Sequence, residues 1–165
     1  FVDNPCTPTQ LGEIIQSFYN QYVKGTGKHF VITLDHTLLA KPTGSQLETI
    51  SELERVLIQT KKLPLTSVIQ IAQMNRNIEQ SERINNPLGH FPMRSDLSSS
   101  DAIFQASDYV MVLQRPEILN IQEYGPNHLP TQNKVYMHIL KNRDAGKPCI
   151  LEFENDLMYN NLIES

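Results

Sequence analysis

The chain has 165 residues, of which 39% are hydrophobic and 19% charged, and a formal net charge of −4 at pH 7. That composition excludes an intrinsically disordered chain, and the length suits one domain over residues 1–165 with a real core. The negative balance excludes a surface that binds nucleic acid by bulk electrostatics, so any DNA contact has to come from a few local groups or from a channel shared by several subunits.

In chain order, Phe1-Val2-Asp3 reads as the stub of a strand with no turn or cap before it, so the sheet is expected to be incomplete at its N-terminus. Thr7-Pro8-Thr9-Gln10 has the form of a capping box with Pro8 at the first helical position. Leu11, Ile14, Ile15, Phe18 and Tyr22 follow at helical spacing, so a helix is predicted to about Val23, ended by Gly25-Thr26-Gly27. Phe30-Val31-Ile32-Thr33-Leu34 is a short apolar run that stops at Asp35, as a buried parallel strand would. After the polar loop Lys41-Pro42-Thr43-Gly44-Ser45, a second helix carries Leu47, Ile50, Leu53, Leu57 and Ile58 on one stripe. Pro64 follows, then a second buried-strand candidate, Val68-Ile69-Gln70-Ile71-Ala72.

Residues 74–91 are polar and Asn-rich and read as a long surface loop. Ser98-Ser99-Ser100-Asp101 can cap a short helix through Gln105, and Tyr109-Val110-Met111-Val112-Leu113 is a third strand. Gly125-Pro126 and Pro130 make residues 116–131 mostly loop. Two alternating runs, residues 135–140 and 149–154, flank the turn-like residues 141–147 and predict an antiparallel hairpin. The fold class expected is α/β, a mainly parallel sheet flanked by helices with a C-terminal antiparallel hairpin. No apolar run is long enough to span a bilayer, and no charged-then-apolar leader opens the chain. Cys6 and Cys149 form no CxxC pair, which argues against a disulfide framework or zinc site and for a reducing cytoplasm.

Three features can carry chemistry, and a fourth only mimics one. Asp35 stands just past a buried strand, at the sheet edge where ligands bind in open α/β folds, and could hold a magnesium ion. The same stretch lacks the first aspartate of a D-x-D-x-T phosphatase nucleophile, because Thr33 occupies that position. Gln73 would emerge at the end of the neighbouring strand, where an amide can sense a terminal phosphate or orient water. Lys141 and Arg143, two cations spaced by one residue at the tip of the predicted hairpin, would lie on the same side of the strand end, an arrangement suited to an anion. Gly25-Thr26-Gly27-Lys28 is a decoy for a phosphate loop: Tyr22 stands in place of the first glycine, His29 follows the lysine, and a strand comes after the segment instead of before it.

Taken in this order the pieces resemble the DnaB family of hexameric replicative helicases, whose C-terminal domain is a RecA-like ATPase. Val31-Ile32-Thr33-Leu34-Asp35 resembles the family's Walker B strand, and residues 1–5 with the Thr7-capped helix resemble the segment before it. Ile71-Ala72-Gln73-Met74-Asn75-Arg76-Asn77-Ile78-Glu79-Gln80 resembles the S-Q-L-N-R-x-x-E-Q motif, the most specific match in the chain. Ser95-Asp96-Leu97 followed by Gln105-Ala106-Ser107-Asp108 is similar to the S-D-L-R-x-S-G-x-I-E-Q-D-A-D element, and Leu140-Lys141-Asn142-Arg143 with Gly146 to the K-x-R-x-G hairpin.

The resemblance implies a partial RecA-like core working with ATP and Mg2+. Asp35 would be the Walker B carboxylate for the metal and Gln73 the strand-end sensor. Lys141 and Arg143 would be the lysine and arginine finger that reach a neighbouring subunit's γ-phosphate. Lys41, Thr43 and Gly44 in one loop, and Ser98, Ser99 and Asp101 in another, would face single-stranded DNA in the channel of a ring of identical subunits, partly through main-chain N–H groups. A primase or a helicase loader would be a further partner. The family's Walker A loop has no counterpart in these residues, so this chain alone is expected neither to hydrolyse ATP nor to unwind DNA. His36 and Thr37 replace the usual residues after the Walker B aspartate, and Ser98, Ser99 and Asp101 stand where the family has arginine, glutamate and glycine. Asp144-Ala145-Gly146 makes the hairpin turn one residue longer than the family's. Such departures fit a distant branch, phage or mobile-element encoded, or a homologue without motor activity. Two alternatives stand beside the helicase: a degenerate RecA-like module kept for ring assembly or partner binding, and a RecA-fold recombinase or loader, which the N-R-x-x-E-Q segment disfavours.

Overall fold

Thr7 starts the first helix as its sequence predicts. In the computed structural model, which describes residues 2–35, 40–97, 100–144, 146–159 and 161–164, Gln10 N donates to Thr7 Oγ1 at 3.3 Å and Thr7 N donates to Gln10 Oε1 at 2.9 Å. Helix α1 (Pro8–Phe18) follows and runs on into a π-helical turn over Tyr19–Val23. Ile15 and Tyr19 are buried beneath it, whereas Ile14, Phe18 and Tyr22 of the predicted stripe are exposed.

Strands β1 (Phe30–Leu34) and β2 (Thr66–Gln70) pair in parallel, with Leu34 opposite Gln70. Helix α2 (Gln46–Thr60) is the crossover between them, as a parallel pair requires. It opens with a second capping box, Ser45 with Glu48, and buries Ile50, Leu53, Glu54 and Leu57 at the spacing of one helical face. The strands alternate in burial, so one face of this two-stranded sheet is covered and the other is open. Expecting strands covered on both sides was incorrect, since Val31 and Ile69 are each 54% exposed. These elements form one compact unit, Phe1–Gln73 with Asp101–Ala106, which includes most of α4 (Ser100–Ala106) and its buried Ile103.

The second compact unit comprises Met74–Ser100 and Ser107–Ser165. Its sheet is fully antiparallel, in the order β3 (Tyr109–Gln114), β4 (Lys134–Asn142), β5 (Cys149–Asp156) and β6 (Asn161–Glu164). The predicted hairpin is β4–β5. The third predicted strand pairs antiparallel with β4, so parallel pairing among the described residues is confined to β1 and β2. β4 outruns its predicted end because Lys141 and Asn142 pair with Val110 and Tyr109, past a register shift between Val110 and Met111.

The segment at residues 74–91 is built rather than a plain surface loop. It holds a 3-10 turn over Arg76–Glu79, the short helix α3 (Ser81–Ile84) and a further turn over Pro87–Gly89. Arg83 fastens it: the guanidinium pairs with Asp96 Oδ1 at 2.5 Å and donates to the carbonyls of Gly89 (2.8 Å) and Phe91 (3.0 Å). Asp96 Oδ2 in turn accepts from Met93 N at 2.7 Å. The core of this unit is aromatic. Tyr124 and Tyr136 are fully buried with ring centroids 5.0 Å apart, and Ile121 packs in the same cluster. No helix among the described residues is long and apolar enough to cross a membrane.

Candidate functional site

The register of β1 and β2 decides where the first two candidates fall. Ile71 N donates to Leu34 O at 2.9 Å, which extends the pairing one step past the strands. Asp35 follows Leu34 directly and Gln73 comes two residues after Ile71, so a carboxylate and an amide leave the carboxyl ends of adjacent parallel strands. Both residues are exposed. The sheet end beneath them rests on a polar contact that the sequence reading missed: Gln70 Nε2 donates to Glu54 Oε1 at 2.6 Å, and Glu54 is 4% exposed. Burial pushes the Glu54 carboxyl up from the usual carboxylate range, partly offset by the Gln70 hydrogen bond.

No group of three or more potential metal ligands occurs among the described residues. Asp35 brings one carboxylate to the strand end, and magnesium is commonly held by one or two carboxylates together with substrate phosphates. Gly25-Thr26-Gly27-Lys28 is a turn leading into β1, with Gly25 and Gly27 at φ of 79° and 71°. Its polar groups bond to each other, Lys28 N to Thr26 Oγ1 at 3.2 Å and Thr26 Oγ1 to Val23 O at 2.7 Å.

The loop expected to meet DNA through Lys41, Thr43 and Gly44 lies at the start of α2, with all three residues exposed. Its main-chain donors are largely engaged: Lys41 N to Cys6 O (2.9 Å), Thr43 N to Thr49 Oγ1 (3.1 Å) and Ser45 N to Glu48 Oε2 (2.8 Å). Glu52 accepts the hydroxyls of Thr43 and Thr9 at 2.7 and 2.8 Å, tying the loop to α1. Hydrogen bonds hold both carboxyls below the ordinary range, from the Ser45 N–H for Glu48 and from the Thr43 hydroxyl for Glu52, so both stay charged beside the loop. In the second loop, Ser98 and Ser99 lie outside the described residues, as do His36 and Thr37, while Asp101 is exposed in the first turn of α4.

The most specific sequence segment, N-R-x-x-E-Q, meets the S-D-L segment within the second unit. Met74 bridges Leu97, Asn75 N donates to Asp96 O at 2.7 Å, and Asn75 Nδ2 donates to Ser95 O at 2.7 Å. Asn75 also caps the turn that carries Arg76 and Glu79, through its Oδ1 to Asn77 N at 3.0 Å. The asparagine thus serves as a fastening between N-R-x-x-E-Q and S-D-L. Placing Lys141 at the hairpin tip needs correction, because it lies within β4, half-buried and paired with Val110. Arg143 follows the strand end with its side chain 51% exposed, and its guanidinium is ion-paired with Asp108.

A family model described as the DnaB-like helicase C terminal domain matches residues 8–159. Two solved structures share the fold at a TM-score of 0.76. One is a DnaB-like replicative helicase described with its interactions with primase, 22% identical, the match covering 99% of this chain and 36% of that one. The other is an ATPase domain, 23% identical, the match covering 100% of this chain and 54% of that one. In both cases this chain spans well under two thirds of the solved one. No curated protein matches it by sequence.

Proposed function

We propose, from the premise that this chain belongs to the DnaB-like helicase C-terminal domain family, that it is the nucleotide-sensing portion of a ring-forming replicative DNA helicase. The observation that carries this reading is the juxtaposition of Asp35 and Gln73 at neighbouring parallel strand ends, fixed by the Ile71 to Leu34 hydrogen bond. In this reading Asp35 would hold the magnesium ion of Mg–ATP, and Gln73 would sense the terminal phosphate. Mg–ATP brings the phosphoryl group and the metal charge that stabilises its transfer. Lys141 and Arg143, one on β4 and one just past it, serve the nucleotide of an adjoining identical subunit. The loop at residues 41–45 and the region of Ser98, Ser99 and Asp101 face single-stranded DNA, and a primase or loader is a further partner.

The test is ATP turnover by the full-length gene product. Asp35→Asn should lower turnover by about 100-fold or more, the scale on which removing a group that stabilises transition-state charge acts, with nucleotide binding in magnesium-free buffer unchanged. Full turnover by the variant would refute the assignment.

A second reading, a RecA-like module kept for ring assembly or partner binding without catalysis, has its own support. The Thr43 and Ser45 amides are already occupied, and Glu48, Glu52 and Asp101 place negative charge where DNA phosphates would lie. Absence of turnover in the wild-type full-length product, with ring assembly intact, selects it.

A further inference from the structure

We infer that Asp108 and Tyr109 form an intramolecular latch that holds Arg143 and the hairpin turn in place until a competing phosphate oxyanion displaces the carboxylate; this rests on Arg143 being a phosphate-reaching residue. Two consecutive residues, Asp108 just before β3 and Tyr109 at its start, grip two consecutive residues beyond β4. Asp108 ion-pairs with the Arg143 guanidinium and its carbonyl accepts from Arg143 N at 3.0 Å, so one residue holds both ends of the arginine. Tyr109 donates its hydroxyl to Asp144 Oδ2, and Asp144 N donates to Asn142 Oδ1 at 3.2 Å. The charges are crossed: an acid holds the cation, and a phenol holds the neighbouring acid. The Asp144 contact also raises the Tyr109 hydroxyl above its ordinary pKa, which keeps it protonated and donating.

Geometry favours a device over an incidental surface pair. The grip sits beside the register shift between Val110 and Met111, where a bulge re-aims the end of a strand. The two side chains are 51% and 36% exposed, so solvent weakens the pair and an incoming anion can reach it. An exposed pair of this kind changes a competing equilibrium by only about 1.5- to 5-fold. A latch of that strength yields to a polyphosphate, which offers several oxyanions to a planar guanidinium, and resists isolated weak anions.

The experiment uses the 165-residue chain, tripolyphosphate as the probe, isothermal titration calorimetry as the readout of affinity in every variant, and the Nε–Hε NMR signal of Arg143, where the arginine is present, as the readout of guanidinium rotation. Asp108→Asn should bind tripolyphosphate about 2- to 5-fold more tightly than wild type at Arg143, and Arg143→Ala should lose that binding. Without ligand, guanidinium rotation should be slow in the wild type and faster in Asp108→Asn and in Asp108→Ser, the second variant guarding against a folding defect in the first. A merely structural Asp108 would lower the melting temperature without tightening binding. Equal affinity and equal rotation in wild type and both Asp108 variants overturn the latch, even if Arg143→Ala shows that the arginine binds phosphate. Retained binding in Arg143→Ala overturns the phosphate-reaching role itself. Absence of saturable binding in both wild type and Asp108→Asn overturns the competition.

Discussion

His138 is the residue whose surroundings bear most directly on stability. It is 3% exposed and lies against the ring of Tyr124, whose hydroxyl meets His138 Nε2 at 2.7 Å. Burial lowers its pKa from 6.5 to about 4, so the folded protein keeps the ring neutral. A neutral Nε2 acceptor suits Tyr124, whose own hydroxyl is driven up by burial and stays protonated. His90 is held from both sides, with Nδ1 accepting from Gly125 N at 2.9 Å and Nε2 meeting Ile84 O at 2.8 Å. Because the folded pKa of His138 lies below the unfolded one, its contribution is fully present above pH 6.5 and is lost as pH falls from 6.5 toward 4. Over that window the folded state should lose about 3 kcal/mol from this group alone. Glu54 acts with the opposite sign: its folded pKa is raised, so its contribution is present below 4.5 and is lost as pH rises through the folded value. The comparison should therefore be wild type against His138→Phe, in which Glu54 cancels. The wild type should lose more denaturation free energy between pH 7 and pH 4 than the variant. Parallel curves would show that His138 is not the titrating group.

Among the elements, the segment around α3 depends most on a single buried contact. The Arg83 and Asp96 side chains are 15% and 3% exposed, and removing one partner leaves the other charge stranded. Arg83→Met should therefore cost about 3 kcal/mol in urea unfolding, and a loss under 0.5 kcal/mol would place the pair among surface contacts of little consequence. The same segment shows where sequence reading stops. Thr7-Pro8-Thr9-Gln10 and the stripe of Ile50, Leu53 and Leu57 were legible because caps and helical periodicity are local. Gln70 within the apolar run over residues 68–72, with Glu54 on the apolar face of α2, carried a readable sign of their contact that went unread. Residues 74–91 lacked any period, since Arg83 organises them through carbonyls and a carboxylate distant in sequence. The pairing of β3 with β4 is likewise long-range and leaves no trace in either strand's own pattern. For the candidate site, the ends of apolar runs marked where Asp35 and Gln73 leave neighbouring strands, while the pairing of Asp108 with Arg143 went unread because the two lie 35 residues apart.

At the scale of the whole molecule, charge is the property that bears on DNA. With 18 acidic against 14 basic residues, the chain has little long-range attraction for a polyanion. Locally the balance is no better, because the carboxyls of Glu48 and Glu52 hold the hydroxyls of Ser45 and Thr43 in the same loop that carries Lys41. A shallow groove beside this loop is lined by Thr43, Leu47, Glu48, Ser51, Glu52 and Arg55, so two carboxylates face one guanidinium there. Each phosphate that a cation neutralises contributes a slope of about −0.7 to log K against log salt for single strands. One lysine in the described part of this loop then predicts that the isolated chain binds oligo-dT weakly, with a slope no steeper than about −1.5 even when a second cation contributes. Glu48→Gln with Glu52→Gln removes two negative charges, while the amide oxygens still accept from Ser45 N and the Thr43 hydroxyl as Gln10 does from Thr7 N. Binding should tighten while the slope stays nearly constant, because no cation is added. Fluorescence anisotropy across a salt series separates these outcomes. A steep slope in the wild type would show a cationic DNA surface elsewhere on the chain, and unchanged affinity in the double variant would show that the loop before α2 does not meet DNA.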